Sequence, residues 1–133
     1  MQRHFDNLLT NTIKALWEDP ARTFTHYETR FFADWYLRQS PETKENVKEL
    51  LLRGSFEIAN GGHEMHDEVC PTYQDMLINL IRGHSFLWDE FQYRPRVALA
   101  VENSGHSMTH PRLLAEAGIQ SLYLLNVNQT ERE

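Results

Sequence analysis

A single cysteine, a deficit of basic residues and the lack of any long apolar run already exclude much about these 133 residues. Cys70 alone rules out an intramolecular disulfide framework and cannot by itself make a structural zinc site, so cysteine usage leaves the compartment open. The 13 Lys and Arg against 19 Asp and Glu give a formal net charge of −6, which argues against a dedicated nucleic-acid binder with a basic face. No apolar run approaches the ~18 residues needed to span a bilayer. The opening residues, Met1 to Asn7, are too polar for a signal peptide. Repeats, low-complexity tracts and internal linkers are missing too, so residues 1–133 read as one domain or part of one. What is present is a globular composition, 41% hydrophobic and 24% charged. A chain of this kind can bury roughly two-thirds of its unfolded surface.

Hydrophobic periodicity divides the chain into alternating elements. Phe5, Leu8, Leu9, Ile13, Leu16 and Trp17 recur at helical spacing until Asp19-Pro20 stops them. Residues 23–27, β-branched and aromatic, predict a strand. Residues 29–38 predict a helix burying Phe31, Phe32, Trp35 and Tyr36. Ser40-Pro41 opens the next helix as a cap followed by proline, with Val47, Leu50 and Leu51 on one face and Gly54 at its end. Residues 55–59 form a second strand. Thr72 begins the longest helix, striped by Tyr73, Met76, Leu77, Leu80, Ile81, Leu87, Trp88 and Phe91, with Gly83 as its one weak point. A third strand over 96–101, a helix from Thr109-His110-Pro111 to Gly118 and a fourth strand over 121–126 complete the order. Strands separated by helices of this length imply right-handed βαβ crossovers and an α/β fold with a parallel sheet.

The most informative stretch runs from Arg96 to Ser107. An apolar run bounded by Pro95 ends in Glu102, Asn103, Ser104, Gly105, His106 and Ser107. Continuous apolarity reads as a strand buried on both faces, and in parallel α/β folds the carboxyl ends of strands carry the chemistry. Position alone leaves Glu102 open to three roles: nucleophile, metal ligand or strand-end charge facing water. The second signal is the short run Phe56 to Ala59 opening into Asn60-Gly61-Gly62-His63-Glu64-Met65-His66-Asp67-Glu68. Paired glycines let the backbone turn sharply and approach a ligand closely. His63 and His66 lack the helical spacing of a zinc-protease pair and read as solvated loop residues. His26, Tyr27 and Glu28 end the first strand and face the same mouth.

In this order and spacing the two segments resemble the catalytic domain of the class II α-mannosidases, glycoside hydrolase family 38, over about residues 5–128. Gly105-His106-Ser107 match the family's strand-end Gly-His-Ser in full. Glu102 stands where the family has an aspartate that is both nucleophile and zinc ligand, and Asn103 and Ser104 replace a proline and a phenylalanine. Asp67-Glu68 match an Asp-Glu pair in the loop lining the sugar pocket, and Glu28 matches a carboxylate at a strand end. His63 replaces a tryptophan, and Asn126 and Asn128 replace an arginine and an acidic residue.

The resemblance implies part of a (β/α) barrel-like glycoside hydrolase domain, lacking the first strand and the downstream half. It implies hydrolysis of α-mannosides by a retaining mechanism, with Glu102 at the nucleophile position and as a zinc ligand. Asp67, Glu68, Glu28, His63 and His106 become the substrate-binding residues, and a mannose-containing glycan the substrate. The family's remaining zinc ligands, a His-x-His-x-Asp type segment and a distant histidine, have no counterpart in these residues, nor does its acid/base. The chain alone is therefore expected to be inactive. The alternative is a non-catalytic remnant that binds glycan or a protein partner. Relatives of this kind work in the lysosome, vacuole or Golgi lumen.

Overall fold

The structure is a computed structural model that describes residues 2–101 and 105–125. Five helices and four strands alternate along them: α1 (Gln2–Glu18), β1 (Phe24–His26), α2 (Thr29–Leu37), α3 (Pro41–Leu52), β2 (Phe56–Ile58), α4 (Tyr73–Phe91), β3 (Val97–Ala100), α5 (Thr109–Glu116) and β4 (Ser121–Leu124). This is the expected order. Local chemistry sets the boundaries: the Ser40 hydroxyl accepts from the Thr43 N–H ahead of Pro41, and Thr72 and Asp75 form a reciprocal capping box that opens α4. No helix among the described residues is long and apolar enough to cross a membrane.

All strand pairing is parallel. β1 lies on β2 with Phe24 opposite Phe56 and His26 opposite Ile58, and β3 lies on β4 with Val97 opposite Ser121 and Ala100 opposite Leu124. Instead of one four-stranded ladder there are two pairs, because the chain leaves β2 through Asn60 in left-handed backbone, φ 60°. The Asn60 side chain bridges the gap. Its Nδ2 donates to the Leu99 carbonyl at 3.0 Å, its Oδ1 accepts from the Leu99 N–H at 2.6 Å, and its own N–H donates to the Val97 carbonyl at 2.8 Å. A side-chain amide thus takes the place of a missing peptide unit in the sheet.

The core is also divided. The larger part gathers Leu9, Ile13 and Leu16 of α1, Phe32, Trp35 and Tyr36 of α2, Val47, Leu50 and Leu51 of α3, Phe56 and Ile58 of β2, and Leu87 of α4. The smaller joins Met76 and Leu80 of α4 to Ala98, Leu113, Leu114 and Ile119. The expectation that the third strand is buried on both faces is corrected here. Ala98 and Ala100 are buried, while Val97 and Leu99 on the other face are only half-buried.

Candidate functional site

The loop leaving β2 is seated on the backbone of α4. A Cβ on Gly83 would lie 1.9 Å from the Gly61 carbonyl oxygen and 2.6 Å from the His63 nitrogen, so only glycine admits the loop at this distance. Gly83 is therefore no mere flaw in the helix, as the sequence had it, but the point of closest approach. Hydrogen bonds fix the loop around it. The His63 N–H donates to the Asn79 carbonyl at 3.0 Å. The Asn79 side chain holds both backbone groups of Glu64, each at 2.8 Å, and His84 Nε2 donates to the Asn60 carbonyl at 3.0 Å. On the opposite side the Arg30 N–H donates to the His63 carbonyl at 2.8 Å, and the Arg30 guanidinium pairs with the Glu64 carboxylate.

Three strand ends converge on this loop. Glu28 follows β1 at the N-cap position of α2, and its carboxyl is raised above the ordinary range by burial, against the opposing pull of the Met65 N–H. Glu64 and Arg30 are its charged neighbours, and the His63 ring lies near it as well. His26 Nε2 donates to the Glu28 carbonyl at 2.7 Å, and burial holds this imidazole below its usual 6.5. Asp67 accepts from the N–H groups of Cys70 and Val69 at 2.8 Å each, and these bonds lower its pKa, so it is a carboxylate that shapes its own turn. The Cys70 thiol is exposed, and its hydrogen bond to that carboxylate pushes its pKa up.

Glu68, expected in the sugar pocket, turns inward. Its side chain is 2% exposed and accepts from the Ser107 N–H and from His110 Nδ1, the latter at 2.8 Å. It thereby ties the β2 loop to the segment that follows β3. Gly105 packs against Val69 there, and the exposed His106 sits beside it. The structure thus brings Glu28 to His63, and Glu68 to Ser107. Glu102, Asn126 and Asn128 lie outside the described residues.

Sequence reasoning missed Asn60, Asn79, His84 and His110 as the groups that hold this arrangement. One signal was available: Asn79 and Gly83 stand one helical turn apart, a polar and a small residue beside the apolar stripe of α4, where a backbone can dock.

Comparison with known proteins finds one family along nearly the whole chain. The family model described as glycosyl hydrolases family 38 N-terminal domain matches residues 1–132. The alpha-mannosidase of Canavalia ensiformis is 38% identical over 129 residues, which cover 96% of this chain and 13% of that protein. Human lysosomal alpha-mannosidase is 36% identical over 118 residues, covering 87% and 12%. Among solved structures, an alpha-mannosidase from Enterococcus faecalis V583 superposes with a TM-score of 0.74 at 17% identity, covering 92% of this chain and 14% of that one. A 4-alpha-glucanotransferase from Thermococcus litoralis gives 0.73 at 15% identity, covering 98% and 22%. The last two show the fold alone. The chain spans about an eighth of the length of the curated relatives it matches.

Proposed function

Because the chain belongs to glycosyl hydrolase family 38, within its N-terminal domain, we propose that its strand-end loops form one wall of a pocket for a terminal α-mannoside. The observation that supports this best is the convergence of Glu28, the loop 60–68 and the Gly105-His106-Ser107 segment at one end of the parallel strands. Asp67, Glu28, His63 and His106 are the sugar-contacting groups of this reading. Glu68 is a support that holds two loops in register.

Glu102 takes the nucleophile position of a retaining mechanism. In such a mechanism one carboxylate attacks the anomeric carbon while a second carboxyl group, about 5–5.5 Å away, protonates the departing oxygen. Zinc is the metal on which this family generally depends. Among the described residues no group of three or more His, Cys, Asp or Glu side chains could hold a metal ion. These described residues do not by themselves fit a catalytic zinc. The chain alone is accordingly a glycan-binding wall without turnover. Glu68, buried between Ser107 and His110, is withdrawn from the sugar-contacting set in this reading.

Methyl α-mannoside added to the isotope-labelled chain should shift the amide signals of residues 26–28, 63–67 and 105–107, and Asp67→Ala should remove those shifts. No shift at these residues would defeat the glycan reading. Zinc-dependent cleavage of an aryl α-mannoside, lost in Glu102→Gln, would show instead that the chain is an active hydrolase.

A further inference from the structure

A pair of imidazoles stands behind the Glu68 junction, and the proposed glycan pocket makes no use of them. His66 lies in the β2–α4 loop and His110 in the first turn of α5, with ring centroids 4.7 Å apart and planes inclined by 59°. Each ring has its Nδ1 engaged as a donor: His66 to the Asp67 carbonyl at 2.6 Å, His110 to the Glu68 carboxylate at 2.8 Å. With Nδ1 donating, the lone pair of each ring is left on Nε2. Neither Nε2 has a partner among the described residues. Both rings line a space of about 20 Å³, shared with Met65 and Asn60. A single water or ion needs roughly 10–15 Å³ on this measure.

We propose that His66 and His110 form a two-imidazole site for one borderline divalent transition ion, Cu²⁺, Ni²⁺ or Zn²⁺. A carboxylate or carbonyl holding the far nitrogen of each ring is the usual outer support of a metal-bound histidine, since it sets the tautomer and raises the basicity of the ligating nitrogen. Two imidazoles that share an ion through Nε2 atoms 2.0–2.1 Å from it have ring centres about 5 Å apart, close to the spacing observed here. With no third His, Cys, Asp or Glu gathered among the described residues, water completes the coordination. Hard cations that prefer oxygen ligands bind such a pair of imidazoles poorly. A bound ion would clip the β2 loop to α5, parallel to the bridge made by Glu68.

The test is titration of the full 133-residue chain with the chlorides of Cu²⁺, Ni²⁺, Zn²⁺ and Mg²⁺, followed by calorimetry and by the ring-proton signals of the histidines. The expected result is saturable one-to-one binding, tightest for Cu²⁺ and absent for Mg²⁺, with Cu²⁺ broadening the His66 and His110 ring signals first. His66→Phe keeps a ring against His110 and leaves the Glu68–His110 pair intact, so it tests the site without endangering the fold. It should weaken binding at least tenfold, as should lowering the pH from 7.5 to 5.5. His4→Ala, far from the pair, should change nothing. Non-saturable binding, unchanged affinity in His66→Phe, or loss of the ion in Glu102→Gln would each overturn the proposal.

Discussion

The two halves of the molecule are built from similar elements yet bury very different interiors. In the half made of α1, α2, α3 and the β1–β2 pair, Phe32, Trp35, Tyr36, Leu50 and Phe56 are each no more than 1% exposed. Aromatic rings cluster at its centre: Phe32 meets Trp35, Tyr36, Phe56 and Phe91 at centroid distances of 5.6–6.2 Å, mostly in tilted pairs. In the half made of β3, α5 and β4 the strand offers only Ala98 and Ala100 inward, and Met108, Tyr123 and Leu125 stand in water. Large side chains that interlock on all sides make a core that holds itself. Alanines beneath a thin helix layer do not remove enough apolar surface to match it. The first half is therefore the scaffold, and the second is held to it by the Asn60 bridge, the Glu68 junction and the lower turns of α4.

The comparison can be broken most sharply in the larger core. Phe32→Ala should cost about 3–5 kcal/mol in urea unfolding, since it removes the ring at the centre of the cluster. A cost below ~1 kcal/mol would mean that the two interiors are alike after all. Gly83→Ala comes next, at about 1–3 kcal/mol from overpacking, with amide shifts concentrated in residues 60–64. Asn60→Ala leaves the Leu99 N–H and carbonyl unpaired and should cost about 1–3 kcal/mol. Its diagnostic effect is on hydrogen exchange, where β3 and β4 amides should speed up while β2 amides hold. Met108→Gln should shift stability by no more than ~0.5 kcal/mol, because Met108 is 94% exposed.

Acid sharpens the same contrast. His26 in the first half and His110 in the second are both held neutral by burial, below the usual 6.5. As the pH falls through that value the unfolded chain takes up protons before the folded one does, so stability is complete above it and is lost below it. Melting followed from pH 7.5 to 5 should show the loss, and His26→Gln should reduce it. A flat profile in the unaltered chain would show that neither ring is protected.

Much of the architecture could be read from neighbouring residues. The caps at Ser40 and Thr72, the stop at Gly118 and the parallel order follow from patterns spanning a few positions, and all appear as expected. What escaped depends on partners far along the chain. Gly83 looks like a defect because helix propensity is local, whereas the carbonyl it accommodates belongs to Gly61. The family resemblance puts Asp67-Glu68 in a loop lining the sugar pocket, yet the groups that draw Glu68 inward, Ser107 and His110, come some forty residues later. The break between β2 and β3 hangs on the backbone twist of Asn60, which no periodicity reveals. The nucleophile position, Glu102, lies outside the described residues, so the candidate site is legible at its walls and not at its centre.

The bridge at Asn60 also gives the molecule a chemical clock. Asn60 is followed by Gly61, the neighbour that least shields its own nitrogen from attacking a side-chain amide, and asparagines of this kind are heat-labile. While Leu99 grips both ends of that amide, the ring closure that begins deamidation cannot be reached. Each opening of the seam releases it. Conversion to aspartate would then set an oxygen against the Leu99 carbonyl where a donor had been. The joint between the halves would age only during the moments it stands open, and its damage would record how often that had happened.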